Sequence, residues 1–250
     1  MTVAAKVARA AAFFDLDGTL IPEPSLEKRL FSALRRHHKI PLTNYLRWTA
    51  EAFRLLPHGL LAVRHNNKRY LSGIARDLIF RYMDPIAFFE EGVARIFWHA
   101  RQGHEIVLVT GTPHDLAQLA ASALECELEL RGIQLPLHIC ATRLAEIRGY
   151  WTGRLDGEVI CGPAKARATQ AFAQHHQLDL RDCHGYGNSF LDRWFLSSVG
   201  HAHAVNPGRA LAALANENDW PIWHWHVEKQ IPSHEPANLT KEIHRIEEQA

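Results

Sequence analysis

Five short apolar runs, each closing on a small or polar residue, constrain this chain more than any other feature. They are AAAFF before Asp15, EIVLV before Thr110, LHICA before Thr142, CHGYG before Asn188 and HAHAV before Asn206. Runs of this length read as strands, and most of the intervals between them have helical spacing. Strands alternating with helices predict an α/β fold, with a mainly parallel sheet covered on both faces. In such a sheet the chemistry gathers at the carboxyl ends of the strands. The polar residues that close the runs are therefore candidates for one shared site.

The interval between the first two runs breaks the rhythm. Residues 22 to about 102 carry no strand pattern. Ser25 is placed to cap a helix with Leu26, Leu30, Phe31 and Leu34 on one side, and Thr43 a second with Leu46, Phe53 and Leu56. Asp84-Pro85 marks the start of a third, ending near Gly103. A simple crossover needs far fewer residues, so the interval reads as an inserted, all-helical lobe. The expected organisation is a discontinuous core at 1–21 and 90–226, a helical lobe at 22–89, and a polar tail at 227–250 ending in a short helix, TKEIHRIEEQA.

With 28 basic against 27 acidic residues, no broad nucleic-acid surface is expected. The start lacks the apolar core of a secretory signal, and no uncharged run reaches the roughly 18 residues of a spanning helix. Cys126, Cys140, Cys161 and Cys183 show no CxxC pairing. A cytoplasmic protein with reduced thiols is the expectation. The apolar patch GLLAV at 59–63 reads as core of the inserted lobe, with peripheral membrane contact as the lesser alternative.

The first run ends in FDLDGTL, which places Asp15 and Asp17 one residue apart at a strand end. A carboxylate there can act as nucleophile, metal ligand or proton carrier; taken alone, the stretch also reads as a plain turn. VTGTP supplies Thr110, Gly111 and a cap-like Thr112 before Pro113, and a helix N-terminus with free N–H groups suits a phosphate. GPAK brings Lys165 to the start of another helix, and YGNSFLD brings Asn188 and Asp192 to the end of a later strand.

In their order and spacing, these four stretches resemble the four motifs of the haloacid-dehalogenase-like superfamily, from about residue 11 to 225. The resemblance implies a Rossmann-like core with a helical C1 cap inserted after the first strand. GHEIVLVTGTP, YWTG and VGHAHAVNP are similar to the phosphoserine-phosphatase-like branch, subfamily IB. NNKRYLSG and FWHARQGH resemble phosphatase domains joined to glycerophosphate acyltransferases. By this resemblance Asp15 is the nucleophile that forms an aspartyl-phosphate, Asp17 the general acid/base, Thr110 with Gly111 the phosphoryl clamp, and Lys165 the charge-balancing cation. Mg²⁺ is implied at Asp15, the Asp17 carbonyl, Asn188 and Asp192. One departure stands out: members usually carry Asp where this chain has Asn188. Asp17, absent from the dehalogenases, favours phosphatase chemistry. A catalytically weakened phosphate-binding domain is the alternative.

The cap would select a small phosphorylated metabolite or a glycerophosphate- or lysophospholipid-like ester. Glu23 sits one position off the register of the glutamate with which phosphoserine phosphatases hold an amino group. Arg64, Lys68 and Arg69 are candidates for a substrate anion or, equally, a solvated helix face. Two histidine pairs, His201/His203 and His224/His226, alternate as on one strand face. Without cysteine or carboxylate partners at ligand spacing they read as packed or exposed side chains.

Overall fold

The computed structural model describes residues 10–226; the expected C-terminal helix lies outside them. Six parallel strands form the central sheet: β1 (Ala11–Phe14), β3 (Glu105–Pro113), β4 (His138–Thr142), β7 (His184–Gly187), β8 (His201–Val205) and β9 (Ile222–Trp223). Their spatial order is β4-β3-β1-β7-β8-β9, so β1 lies between β3 and β7. All five sequence runs are strands of this sheet.

Alternation along the strands builds two cores. Ala12 and Phe14 of β1 and Ile106 and Leu108 of β3 face a layer containing α5 (Glu90–Arg101) and α6 (His114–Leu130). Ala11, Phe13, Val107 and Val109 face the opposite way, toward α7 (Pro163–His176), α8 (Arg193–Leu196) and α9 (Arg209–Glu217). Both faces of the central strands are therefore dry, which is why β1 reads as one unbroken apolar run.

Between β1 and α5 the chain forms α1 (Leu26–Arg36), α2 (Leu42–Leu55), α3 (Leu60–Asn66), the two-residue strand β2 (Ile74–Ala75) and α4 (Leu78–Tyr82). Leu26, Leu30 and Leu34 of α1 join the first core, as expected from their spacing. Several expectations for this region are corrected. The insertion is not purely helical: β2 pairs antiparallel with β6 (Tyr150–Leu155), which pairs with β5 (Leu144–Ile147) in a separate three-stranded sheet. Two residues carry no readable period, and the β5–β6 turn at Arg148-Gly149 has positive φ at both positions, the geometry of a tight hairpin.

The helix expected from Asp84 begins instead at Glu90, because the Phe89 N–H donates to the Leu20 carbonyl at 2.9 Å and holds that stretch extended against the core. On α2 the stripe of Leu46 and Phe53 faces solvent, at 73% and 71% exposed, as does Leu56 beyond its end. The helix is anchored by its other side, where the Asn44 amide donates to the carbonyls of Tyr70 and Ser72. Leu60 and Leu61 of GLLAV are likewise exposed and not lobe core.

Candidate active site

The residues closing β1, β3 and β7, and the start of α7, meet at one end of the sheet around a cavity of about 880 Å³. Asp15, Asp17, Glu23, Arg64, Thr110, Gly111, Lys165, Asn188 and Asp192 line it; Lys68 and Arg69 do not.

Asp15 leaves β1 buried, its N–H donating to the Tyr186 carbonyl at 2.9 Å. Its Oδ1 accepts from Lys165 Nζ at 2.5 Å, and its Oδ2 from the Thr19 hydroxyl at 3.1 Å. The same ammonium donates to Asp192 Oδ1 at 2.6 Å. Asp192 is held in turn by Ser189, whose N–H and hydroxyl both donate to Oδ2 at 2.8 Å. One buried cation thus bridges two buried carboxylates that lie 177 positions apart in the chain.

Burial pushes the Asp15 carboxyl up to about 7; Lys165 acts against this, while Asp192 and Asp17 add to it. For Lys165 burial favours the neutral amine, but Asp15 and Asp192 outweigh it and hold the ammonium well above the usual lysine range. The triad carries one positive charge against two acids, so its electrostatics favour a further cation beside Asp15.

Asp17 lines the same cavity in a different setting. Its Oδ1 accepts from the Leu26 N–H at 2.8 Å, at the N-terminus of α1, and its Oδ2 from the Thr112 hydroxyl. Burial raises its pKa; the Thr112 and Leu26 bonds oppose this, and Glu23 and Glu27 add to it. Two capping assignments are corrected here. Ser25 occupies the N-cap position of α1 without a side-chain cap bond, and Asp17 satisfies the free N–H instead. Thr112 does not cap α6: Pro113 holds that position, and the threonine hydroxyl is spent on Asp17. Thr110 Oγ1 accepts from the Thr112 N–H at 3.2 Å, which leaves its own proton for another acceptor.

Gly18 has a left-handed φ of 85°, and a Cβ there would stand 2.0 Å from Asn188 Nδ2. Only glycine lets the first acidic loop close over the Asn188 amide.

The proposed selectors separate. Lys68 is buried and both Glu27 carboxylate oxygens accept from it at 2.6 Å; the Tyr70 hydroxyl also donates to Glu27. Arg69 lies 3.6 Å from Glu51. Arg64 remains on the cavity wall, and Glu23 accepts from the Ser25 N–H and Lys28. The roles of Thr19, Ser189 and Glu27 were missed from sequence. Ser189-x-x-Asp192 has capping-box spacing and was readable; the Glu27–Lys68 pair, 41 positions apart, left no local signal.

The match to the haloacid dehalogenase-like hydrolase family model runs over residues 12–197. The chain belongs to that family. It is 30% identical over 240 residues to the phosphoserine phosphatase SerB1 of Mycobacterium tuberculosis, covering 88% of this chain and 72% of the relative. It is equally 30% identical over 241 residues to a protein of Streptomyces azureus named for inhibition of morphological differentiation, covering 90% and 83%. Among solved structures, a Bordetella pertussis protein of unknown function superposes with TM-score 0.67 at 22% identity, over 86% of this chain and 98% of that one. A phospho-aspartyl intermediate analogue of phosphoserine phosphatase superposes with TM-score 0.58 at 19% identity, over 87% and 93%. The fold is that of the phosphoserine-phosphatase-like members, and the chain is a hydrolase of this family.

Proposed function

We propose that this hydrolase is a Mg²⁺-dependent phosphatase that cleaves phosphomonoesters through an aspartyl-phosphate on Asp15. The observation carrying this reading is the Asp15–Lys165–Asp192 triad lining one cavity together with Asp17. In the first step an Asp15 oxygen attacks phosphorus and the ester P–O bond breaks, while Asp17 gives its proton to the departing alkoxide. In the second, the Asp17 carboxylate takes a proton from water as that water attacks phosphorus, and the acyl-phosphate P–O bond breaks to restore Asp15. The raised pKa of Asp17 suits a group that must hold a proton before giving it up. Lys165 and the Thr110 hydroxyl hold the phosphoryl oxygens.

The donor set fits a hard cation: the Asp15 carboxylate, the Asp17 carbonyl, the Asn188 amide oxygen and Asp192 all line the cavity and would supply oxygen ligands only. When bound, Mg²⁺ offsets charge between Asp15 and the phosphoryl oxygens.

The cap half of the cavity is lined by Phe31, Trp48, Ala52, Val63 and Tyr70. This apolar wall supports an ester whose organic part is amphipathic, of the glycerophosphate or lysophospholipid kind. Phosphoserine is less favoured, because Glu23 sits one position off the register of the amino-holding glutamate and its carboxylate accepts from the Ser25 N–H and Lys28. A panel of amino-acid, sugar, nucleotide and lipid phosphates, compared by kcat/KM with Mg²⁺ present, tests the reading. Highest efficiency on a phosphoester with an apolar tail is expected, and preference for phosphoserine would overturn the substrate assignment. The uncharged Asn188 favours the second reading, a phosphate-binding domain with residual catalysis; turnover at ordinary enzyme rates would eliminate it.

A further inference from the structure

The amino-terminal end of the sheet, opposite Asp15, carries a cluster of chemistry that the proposed reaction does not use. His99 lies in the last turn of α5 and is fully buried. Gly103, at a left-handed φ of 76°, reverses the chain, and the His104 N–H donates to the His99 carbonyl at 3.1 Å. That reversal folds one ring against the other, with His99 Nδ1 and His104 Nδ1 2.9 Å apart. His184 opens β7 and sets its ring 4.6 Å from that of His99, centroid to centroid. One ring nitrogen from each of the three lies within 4.8 Å of the other two.

We propose that His99, His104 and His184 form a binding site for a divalent transition-metal ion of borderline softness, with Zn²⁺ the best match. Outer partners orient the rings as they do around metal-bound imidazoles. His99 Nε2 is 2.9 Å from the Tyr186 hydroxyl, so a proton on Nε2 leaves the Nδ1 lone pair facing inward. His184 Nδ1 is 3.3 Å from His203 Nε2, and the His203 ring stacks on Tyr186.

Charge selects the ion class. The three donors include no carboxylate, and Arg95, held over the Trp98 and Trp223 rings, adds positive charge nearby. Attraction must come from imidazole lone pairs, which favours Zn²⁺, Cu²⁺ or Ni²⁺ and disfavours Mg²⁺ or Ca²⁺. Three histidines leave a fourth tetrahedral position open to solvent or an exogenous ligand. A different set, Glu105, His138 and His176, also converges, with Glu105 Oε2 2.7 Å from His176 Nδ1 and 3.4 Å from His138 Nε2. That set, which includes a carboxylate, is the competing location for the ion, and the His138→Ala arm of the test separates the two.

The test is calorimetric titration of the full chain with Zn²⁺ in excess Mg²⁺, for wild type, His104→Ala and His138→Ala. One Zn²⁺ bound by wild type, binding at least ~10-fold weaker in His104→Ala and unchanged in His138→Ala supports the site. Absence of uptake by wild type, equal binding by His104→Ala, or a loss that follows His138→Ala would overturn it. Should His104→Ala fail to fold, Co²⁺ bound to His138→Ala, which removes the competing set, decides. Intense tetrahedral visible bands with paramagnetically shifted imidazole protons support the proposal, and their absence overturns it.

Discussion

At the scale of single residues, the competition between proton and cation at Asp15 governs the chemistry. Burial raises its carboxyl to about 7 and so favours the protonated form, yet it must be ionised to attack. Mg²⁺ and the proton therefore compete for one oxygen pair, and the Mg²⁺ needed for half-maximal activity should rise as pH falls from 8 to 6. A metal requirement independent of pH across that range would place the cation away from Asp15. Asn188→Asp adds a charge beside the same point and should lower the Mg²⁺ requirement by about tenfold, without obliging kcat to rise. Identical Mg²⁺ titrations of wild type and Asn188→Asp would remove Asn188 from the ligand set. Lys165→Met leaves Asp15 and Asp192 facing each other without their shared cation. Breaking such a buried network costs about 3–5 kcal/mol, which urea unfolding at pH 7 measures. An unchanged midpoint would mean that the triad is not the electrostatic keystone of the site.

At the scale of elements, α1 links the cap to the chemistry, because its first free N–H is satisfied by Asp17. Asp17→Asn keeps an oxygen for that bond but loses the acid/base function, and should slow turnover by ~10²–10⁴-fold. Asp17→Ala loses both, and should be less stable than Asp17→Asn by about 1 kcal/mol, the usual worth of an N-cap. Equal thermal stability of the two variants would show that α1 does not lean on Asp17. This coupling also marks where sequence reading stops. The strands were legible because β1 and β3 are buried on both faces and their apolar runs end where the chain turns into the site. The period of α1 was legible for the same reason. Its true cap was not, because Asp17 lies nine residues before Leu26 and the nearer Ser25 has the usual chemistry. The apolar stripe of α2 misled because the helix is anchored through Asn44, Leu55 and Tyr45 and not through Leu46 and Phe53. Order and identity of the four motifs located the triad; geometry alone assigned Lys68 to Glu27 and withdrew it from the cavity wall.

Over the whole molecule, the histidines set the response to acid. Burial first, and neighbouring positive groups second, depress His99 to about 2, His184 to about 4 and His203 to about 3, from an ordinary value of 6.5. The unfolded chain takes up these protons below pH 6.5 while the folded chain refuses them. The stability is therefore fully present above that pH and is lost as pH falls toward the folded values. Asp15 works in the opposite sense, since between about 7 and 3.8 the folded state holds the proton that the unfolded state releases. Asp17, also raised by burial, works in the same sense, so the chelator-treated Asp15→Asn, Asp17→Asn double variant removes both offsets. Its unfolding free energy should drop between pH 7 and pH 5, by up to about 1.4 kcal/mol per pH unit for the fully buried His99, with smaller additions from the partly exposed His184 and His203. Equal stability at the two pH values would mean that these rings are protonated in the folded state.

The nucleophilic role of Asp15 is tested most directly by trapping the phosphorylated enzyme. Asp17→Asn, which should release phosphate slowly, is mixed with Mg²⁺ and an aryl phosphate whose phenolate needs no proton to leave, quenched in acid, reduced with borohydride and mapped by peptide mass spectrometry. Reduction of an acyl-phosphate turns the phosphorylated aspartate into homoserine. Homoserine at position 15, and none in the Asp15→Asn, Asp17→Asn double variant, is the expected result. Phosphate release with no modified residue, or modification at any other carboxylate, would contradict it.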